Sequence, residues 1–555
     1  MLKKILLWCA LFLSWSATMT EAAPVIKEMK FAPLNPEYVK YLEGKSDAKA
    51  VPSPIDWSYL KKPKAGQTRA ASDLPASFDL SSEGMTPPVE DQRNWGTCWA
   101  FAAVAAMESN LLTQGRTWGD DVSISEFHLA YWTYSFDTVN KLPGFTRNGY
   151  AKDENPIFDN GGDPQRATAI LSRGTGPVLA KDAPYPDTVD DMSWDEWKDF
   201  LPPAPYAESR YRLKRALFYS REDTDDIKRA LMITGGLYVA YNSYDDPFNG
   251  YNYYDSDETA LPNHAVLLVG WDDDYPAVNF QSEKYGENPP GPGAWKIQNS
   301  WGEKFGKDGY FYISYYDKSF LNGTNALSLE VAPIKYDGIY LHDPLGFCTI
   351  VQGNEFTEWN VANVFEAERD EDVVSAGFVT ANVGMEYEVR VYKDIPAGEG
   401  PDAGKQSYVQ SGVTEAVGYY TVQFPEPVGV KKGERFAVAV KMKTDDDEAY
   451  LPVETMLPGF SDNAAAAPGE SYVLANLDGE GEKWLDAYGL VLDDAYYDGY
   501  SPRNFNVCVK AFTVASGKSG DGDGDGGGGC SAGGGIALPL LAAVFWAARI
   551  PAKKK

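Results

Sequence analysis

Apolar and polar positions first follow helical periods and then β-rich runs. The stretch "CWAFAAVAAMESNLL", from Cys98 to Leu112, is apolar over the length of a buried helix. "DTDDIKRALMITG" begins with acidic residues and ends at Gly235, which is typical of an amphipathic helix. Short β-rich runs bounded by turn residues follow: "GLYVAYNS", "NHAVLLVGWDD", "GAWKIQNSW" and "GYFYISYYD". Helices followed by strands predict an α+β unit over 74–333.

Helical periodicity nearly vanishes over 336–515. Runs such as "VVSAGFVTA", "EYEVRVYKDI", "GYYTVQF", "RFAVAVKMKT" and "FNVCVKAFTV" alternate or are rich in β-branched and aromatic residues, with Gly, Pro and Asp between them. This pattern predicts a second, all-β unit built as a sandwich or jelly roll.

The N-terminal segments carry signals of export and processing. Residues 1–23 contain two lysines, an apolar run and a small-residue end, which predicts a signal peptide that is removed. Residues 24–73 are rich in Lys, Pro and Ala, and they form either a spacer or a propeptide of a zymogen.

The C-terminal segments predict a surface-directed protein. Residues 516–529 are a linker rich in Gly and Asp. Residues 530–555 combine a Cys, small residues, a short apolar stretch and a basic end. This layout resembles bacterial C-terminal sorting tails, which implies a sorting machinery as a partner, and a simple tail anchor is the alternative. Both readings place an exported chain, at least for a time, at a cell envelope.

Charge and cysteine usage restrict the function classes. The 555 residues have a formal net charge of −30, so the chain is repelled by phosphate backbones, and nucleic acid is excluded as an expected partner. Removal of the signal peptide leaves four cysteines, too few for a disulfide scaffold. Cys348 and Cys508 lie in the same later region, and the sequence leaves their pairing open. No cofactor and no metal site are predicted.

Cys98 is the first candidate for chemistry. A thiol is nucleophilic as thiolate, which a helix N-terminus and a neighbouring imidazolium favour. Of the three histidines, His264 opens the apolar strand "NHAVLLVGWD" and is therefore placed at a strand edge. Asn299 is a candidate to orient the second ring nitrogen of His264, and Trp301 is able to cover the pair from water.

Four segments, in this order, resemble the papain-like cysteine proteases: "PVEDQRNWGTCWAFA", "NGGDPQRA", "NHAVLLVGWD" and "WKIQNSWGEKFGKDGYFYI". The resemblance implies a two-lobed α+β fold, with a helical lobe and a barrel-like lobe, and a peptidase that hydrolyses peptides or proteins. It implies the following roles: Cys98 as nucleophile, His264 as base and acid, Asn299 as its orienter, Gln92 as oxyanion donor, and Gly161 and Gly162 as a backbone edge for substrate.

Two departures from the family pattern affect the cleft. Trp95 stands where the family often has a disulfide cysteine, so Cys98 has no partner within 74–333. The interval of about 166 residues between Cys98 and His264 is longer than the family's, which predicts enlarged loops beside the cleft.

The later unit resembles, more loosely, the lectin-like module that follows some bacterial enzymes of this family. The resembling stretches are "HDPLGF", "ANVFEAERDEDVVSAGFVT", "YEVRVYKDI" and "NVCVKAFT". This resemblance implies a carbohydrate or cell-surface ligand. The sequence therefore predicts an exported cysteine endopeptidase with a β-sandwich accessory domain. The alternatives are a surface adhesin with a silent protease fold, and an acyl transferase or transpeptidase that uses the same residues.

Overall fold

The computed structural model describes residues 25–26, 29–45, 51–59, 74–137, 140–147, 157–186, 209–244, 247–281, 288–353, 356–476, 481–492 and 504–516. The expected signal peptide, the C-terminal tail and all but the first residue of the Gly/Asp-rich linker lie outside these residues. The α-helices are α1 Pro36–Leu42, α2 Cys98–Thr113, α3 Glu126–Tyr134, α4 Pro164–Ser172 and α5 Thr224–Thr234. Short 3-10 helices occupy Trp57–Tyr59, Ile157–Asp159, Ala277–Phe280 and Pro401–Ala403.

The strands before residue 333 are β1 Val25–Ile26, β2 Met29–Phe31, β3 Ser77–Asp79, β4 Arg212–Tyr219, β5 Leu237–Tyr241, β6 Phe248–Asn249, β7 Asn252–Tyr253, β8 His264–Asp272, β9 Ala294–Gln298, β10 Tyr310–Ser314 and β11 Ala326–Ala332. The later strands are β12 Gly338–Tyr340, β13 Thr349–Gly353, β14 Glu358–Glu366, β15 Glu371–Thr380, β16 Glu386–Lys393, β17 Lys405–Val413, β18 Val417–Val430, β19 Arg435–Lys443, β20 Tyr450–Glu454, β21 Ser471–Asn476, β22 Glu482–Asp486, β23 Val491–Leu492, β24 Asn506–Val507 and β25 Val509–Ala515.

Helix α2 is the central element of the protease part. Almost every residue after Cys98 is buried, and its many alanines allow close packing on β5, β8 and β11. The prediction of a buried helix over this stretch is confirmed. The amphipathic helix predicted to end at Gly235 is also confirmed, because α5 ends at Thr234 and Gly235 adopts a positive φ of 96°.

Next to α2 lies an antiparallel array of five strands, in the order β11, β5, β8, β9 and β10. The register places His264, the first residue of β8, opposite Tyr241 of β5. Gln298, the last residue of β9, pairs with Leu267 of β8. Asn299 therefore follows β9 at the edge where β8 begins, and the sheet brings Asn299 and His264 together.

The later part is a sandwich, as predicted. One layer is the six-stranded sheet β17-β16-β19-β14-β21-β22, and the other contains β12-β25-β15-β18. Alternate residues of both layers meet in one apolar core, with Val391 and Val438 from the first and Phe378 and Val422 from the second. Together, the helical and barrel-like protease part and this sandwich confirm the predicted fold class.

A connection that the sequence did not indicate joins the two parts. Strand β18 of the sandwich pairs antiparallel with β4 of the protease part, with Val417 opposite Phe218 and Tyr420 opposite Arg215. Strand β4 pairs in turn with β11, so one sheet of 13 strands runs through both parts. Arg215 also contacts Glu330 at 2.6 Å and Glu415 at 3.2 Å.

The N-terminal segment packs into both parts as well. Strand β2 pairs antiparallel with β13 of the later part. The fully buried Tyr38 of α1 donates its hydroxyl to the Pro458 carbonyl at 2.5 Å. Ser53 donates to Gln165 Oε1 of α4 at 2.6 Å, and the Trp57 ring stacks on Phe218 with centroids 5.0 Å apart.

Candidate active site

Cys98 is the first residue of α2. Thr97, the residue before it, makes no side-chain capping bond, so the first N–H groups of the helix remain available to the sulfur. Burial raises the pKa of the partly buried Cys98 thiol, while the backbone N–H groups of Ala265, Trp99 and Cys98 itself act in the opposite direction. These N–H groups therefore favour the thiolate, whereas burial favours the neutral thiol.

His264 and Asn299 form the predicted pair. His264 Nε2 and Asn299 Oδ1 are 2.8 Å apart, and both side chains are buried. The Trp301 ring stacks on the His264 ring with centroids 4.5 Å apart and an interplanar angle of 26°. Burial lowers the pKa of His264 to about 4, and the hydrogen bond to Asn299 opposes this by favouring the imidazolium.

The Cys98 sulfur lies close to the backbone N–H of Ala265, the residue that follows His264 in β8. Because the Ala265 N–H bonds the thiolate and the Asn299 bond uses Nε2, the imidazole has Nδ1 left for exchange with the thiol. Transfer of the thiol proton to Nδ1 would create a thiolate and an imidazolium, which burial opposes and these hydrogen bonds favour. The structure thus places Cys98, His264 and Asn299, the three residues expected to act as nucleophile, base and orienter, in one site.

Gln92 is held next to these groups by hydrogen bonds that include one from Tyr185 Oη to its backbone carbonyl at 3.2 Å. Its backbone N–H donates to the Ser300 carbonyl at 2.9 Å, its Oε1 accepts from Ser300 Oγ at 2.7 Å, and its Nε2 donates to the Trp95 carbonyl at 2.8 Å. One Nε2 hydrogen remains for a substrate oxygen. Ser300 was not predicted, and no feature of the sequence other than its place after Asn299 distinguishes this serine.

Gly161 and Gly162 precede α4 and lie against α2. Gly161 has a φ of 68°, and its carbonyl accepts from Tyr134 Oη at 3.0 Å. A Cβ on Gly162 would lie 2.2 Å from the Trp99 ring. The Trp99 ring, on the residue after Cys98, therefore leaves no space for a side chain at position 162. The backbone at Gly162 lies against the start of α2.

The other histidines and cysteines that the structure describes lie in packed surroundings away from this candidate site. His128 is buried on α3, and His342 Nε2 contacts the Val364 carbonyl at 2.9 Å while its ring stacks on Phe365. Cys348 and Cys508 are both buried free thiols, so the structure contains no disulfide between them. Among the residues that the structure describes, no helix is both long and apolar enough to cross a membrane.

Comparisons with known families agree with this geometry. Residues 74–329 match the family model of papain family cysteine proteases, and residues 339–513 match that of the lectin-like domain. Residues 74–329 are therefore a papain-family cysteine protease domain, a peptidase of the hydrolase class, and residues 339–513 are a lectin-like domain.

Among solved structures, the chain is similar to the cysteine protease and lectin-like domains of Cwp84, a surface layer associated protein of Clostridium difficile. That match has a TM-score of 0.70 and 25% identity, and it covers 89% of this chain and 100% of the other. A second Cwp84 structure, of a variant after propeptide cleavage, matches with a TM-score of 0.64 and 26% identity, over 79% of this chain and 99% of that one.

Curated relatives match the protease part. A cathepsin L-like peptidase of Aedes aegypti is 26% identical over 283 residues, which are 50% of this chain and 69% of the relative. Cysteine proteinase 15A of Pisum sativum is 27% identical over 246 residues, 44% of this chain and 58% of the relative. Human cathepsin L2 is 26% identical over 251 residues, 44% of this chain and 61% of the relative.

Proposed function

We propose that the protein is an exported cysteine endopeptidase in which Cys98, His264, Asn299 and Gln92 carry the reaction. The observation that supports this assignment most directly is the 2.8 Å contact between His264 Nε2 and Asn299 Oδ1. With Nε2 engaged, Nδ1 is the nitrogen that exchanges a proton with the Cys98 thiol. The Trp301 ring covers this pair and keeps bulk water from the hydrogen bond.

The reaction follows from these positions. The Cys98 sulfur attacks the peptide carbonyl while its proton passes to His264, and Gln92 Nε2 and the Cys98 backbone N–H stabilise the oxyanion. Collapse of the tetrahedral intermediate breaks the C–N bond, and the imidazolium gives its proton to the leaving amine. Water, deprotonated by His264, then hydrolyses the thioester and regenerates the thiol. The partly exposed backbone of Gly161 and Gly162 pairs with the extended substrate.

A thiol-directed epoxysuccinyl probe tests this assignment. We expect rapid labelling of Cys98 near neutral pH, identified by mass spectrometry, and no labelling of a Cys98→Ala variant. His264→Ala should slow the labelling because the thiolate loses its imidazolium partner. Labelling that is equally fast in wild type and His264→Ala would contradict the assigned roles, and an unlabelled wild type would favour a surface adhesin with a silent site.

Product analysis separates hydrolysis from acyl transfer. A peptide substrate incubated with added amine acceptors should yield the free acid as its main product. If the amide of the acceptor dominates instead, the protein is an acyl transferase or transpeptidase that uses the same residues.

Export to a cell surface, with processing of residues 24–73 and of the C-terminal tail by sorting machinery, is the second part of the proposal. The similarity to Cwp84, which is surface-layer associated and has a cleavable propeptide, supports it. Terminal sequencing of the protein from fractionated cells should find a chain that lacks residues 1–23 in the envelope fraction. A full-length chain in the cytosol would contradict export.

The lectin-like part is proposed to bind a carbohydrate at the cell surface. Supporting observations are the family match and three aromatic residues, Tyr392, Tyr472 and Trp484, which cluster on the face of the six-stranded sheet away from the main core. The rings of Tyr392 and Trp484 are partly exposed and therefore available to stack on a sugar face, whereas the Tyr472 ring is buried. A glycan array should identify a ligand whose affinity falls with Trp484→Ala and is retained with Tyr488→Ala, which changes an exposed aromatic residue outside this cluster.

A further inference from the structure

A small cavity lies behind the candidate active site, between α2, α3 and the strands β8 and β9. Its volume, measured as the space open to the centre of a water molecule, is about 20 Å³. This volume is enough for one water molecule. Its lining includes Asn299 and Ser300 together with three acidic residues, Glu90, Glu108 and Glu126. The side chains that hold His264 and Gln92 in place therefore share the cavity with a group of acids.

Of the two polar atoms of the Asn299 carboxamide, only Oδ1 has hydrogen-bond partners among the residues that the structure describes. Oδ1 accepts from the Ser300 backbone N–H and faces His264 Nε2, both at 2.8 Å. Asn299 is 2% exposed, and its Nδ2 is buried without a hydrogen-bond partner among the residues that the structure describes. A buried N–H group without a partner costs about 1–3 kcal/mol, so this amide has a strong demand for an acceptor.

Glu108 and Glu126 supply carboxyl acceptors in the same lining. Both are almost fully buried, and Glu108 Oε1 accepts the Ile124 backbone N–H at 2.8 Å. Burial and the repulsion between the two carboxyl groups raise the pKa of Glu108 well above its ordinary value, and burial raises that of Glu126 to about 8. Glu90 is exposed and adds to the repulsion, and the β8 and β9 lining residues contribute no titratable group.

The orientation of Asn299 decides which proton His264 carries. With Oδ1 towards the ring, Nε2 keeps its hydrogen and Nδ1 is free to take the thiol proton. A flipped carboxamide would present Nδ2 to the ring, demand an acceptor at Nε2 and move the proton to Nδ1. An acceptor for Nδ2 in the cavity disfavours that flip.

We propose that Glu108 and Glu126 are positioning residues: they share a proton and hold one internal water that accepts from Asn299 Nδ2. The water donates to the carboxyl pair and locks the carboxamide with Oδ1 directed at His264. This inference rests on the proposed roles of His264 and Asn299. The two glutamates act on Asn299 through the water in the cavity, and they do not contact the substrate.

Substitutions at Glu108 in the full chain test the proposal through the pH dependence of Cys98 alkylation by iodoacetamide, measured beside kcat and KM. Glu108→Met removes the polar group at similar volume. It should slow alkylation below neutral pH and lower kcat on the order of 10-fold with KM nearly unchanged, because misplaced catalytic groups slow the chemical step. Glu108→Gln keeps a polar group and should recover most of both values.

Glu454→Gln is the matched control. Glu454 is fully buried, burial raises its pKa to about 8, and it lies in the lectin-like part. It should leave the alkylation profile unchanged. A Glu108→Met profile and kcat equal to those of the wild type would overturn the proposal, whereas a wild type that is not alkylated at Cys98 would overturn the proposed function itself.

A high-resolution crystal structure of the Cys98→Ala protein gives a test that does not depend on the folding of cavity variants. Density for a water within hydrogen-bond distance of Asn299 Nδ2 and of a glutamate oxygen is expected. A dry cavity, or a carboxamide flipped with Nδ2 at His264, would overturn the proposal.

Discussion

Ser300 ties the two polar side chains of the candidate site together. Its backbone N–H bonds Asn299 Oδ1 at 2.8 Å, and its hydroxyl bonds Gln92 Oε1 at 2.7 Å. A single residue therefore supports the orienter of the base and the proposed oxyanion donor. Both contacts are buried, where a lost hydrogen bond is felt more strongly than at the surface.

Ser300→Ala should lower kcat with little change in KM. The loss of one buried hydrogen bond, about 1 kcal/mol, corresponds to a decrease of roughly 5-fold. Steady-state kinetics on a peptide substrate check this, with Gln92→Ala as the reference, where removal of a donor should cost about 100-fold or more. Equal losses in the two variants would mean that the serine does more than anchor Gln92.

Gly162→Ala should impair both stability and activity. The added Cβ would lie 2.2 Å from the Trp99 ring, next to the nucleophile, and overpacking of this kind costs about 1–3 kcal/mol. Gly115→Ala is the comparison, because its φ of 86° carries backbone strain while no atom lies within 4 Å of the new Cβ. Thermal unfolding and kcat/KM should separate the two: Gly115→Ala should lower the Tm only, whereas an active Gly162→Ala would contradict the packing argument.

The sequence singles out Cys98, His264 and Asn299, whose catalytic roles remain a proposal, because each stands in a distinctive local context and histidines are scarce in this chain. It does not single out Glu108 and Ser300, because a glutamate inside an apolar helix and a serine after an asparagine carry no local signal of their partners. Their importance arises from contacts between residues far apart in sequence, such as the Ser300–Gln92 bond, which spans 208 positions.

At the scale of elements, the N-terminal segment is part of the folded protein. Strand β2 and helix α1 bury apolar residues against the later part, and the sequence had left this region as either spacer or propeptide. Its short strand has few alternating positions, so the pattern could not indicate β13 as its partner. For β18 the alternation gave the strand itself but not its pairing with β4, because periodicity identifies the buried face and not the neighbour.

Tyr38→Phe should lower the stability by about 1–2 kcal/mol, since the buried Pro458 carbonyl loses the 2.5 Å hydrogen bond from the Tyr38 hydroxyl. Denaturant unfolding of the uncut chain measures this. Tyr41→Phe, in the same helix but only partly buried, is the control and should change stability by less than about 0.5 kcal/mol. Equal values for the two variants would show that α1 adds little to the fold.

At the scale of the molecule, the protease and lectin-like parts share one hydrogen-bonded sheet of 13 described strands. We expect a single cooperative unfolding transition by calorimetry. Gly418→Ala should lower its midpoint, because the new Cβ would lie 2.1 Å from the Ala216 carbonyl of β4. Gly433→Ala, a positive-φ glycine in open space, is the control, and two separate transitions in the wild type would contradict this coupling.

Buried acids should make the protein less stable as the pH rises. Burial raises the pKa of Glu454 from 4.5 to about 8, so the folded state keeps a proton that the unfolded state releases. The stabilising contribution is fully present below pH 4.5 and is lost as the pH rises towards 8. The Tm of Glu454→Gln relative to wild type should therefore increase between these pH values, and a constant difference would contradict the shift.

The pairing of β18 with β4 also restricts how such a protein diversifies. A gene fusion that exchanged the lectin-like module for another would leave the backbone groups of β4 along Arg215–Phe218 without their partners from β18. Such an exchange succeeds only if the incoming module brings a strand of matching register and a glycine at the place of closest approach. We therefore expect changes in the loops of either part to be tolerated better than an exchange of the whole lectin-like part.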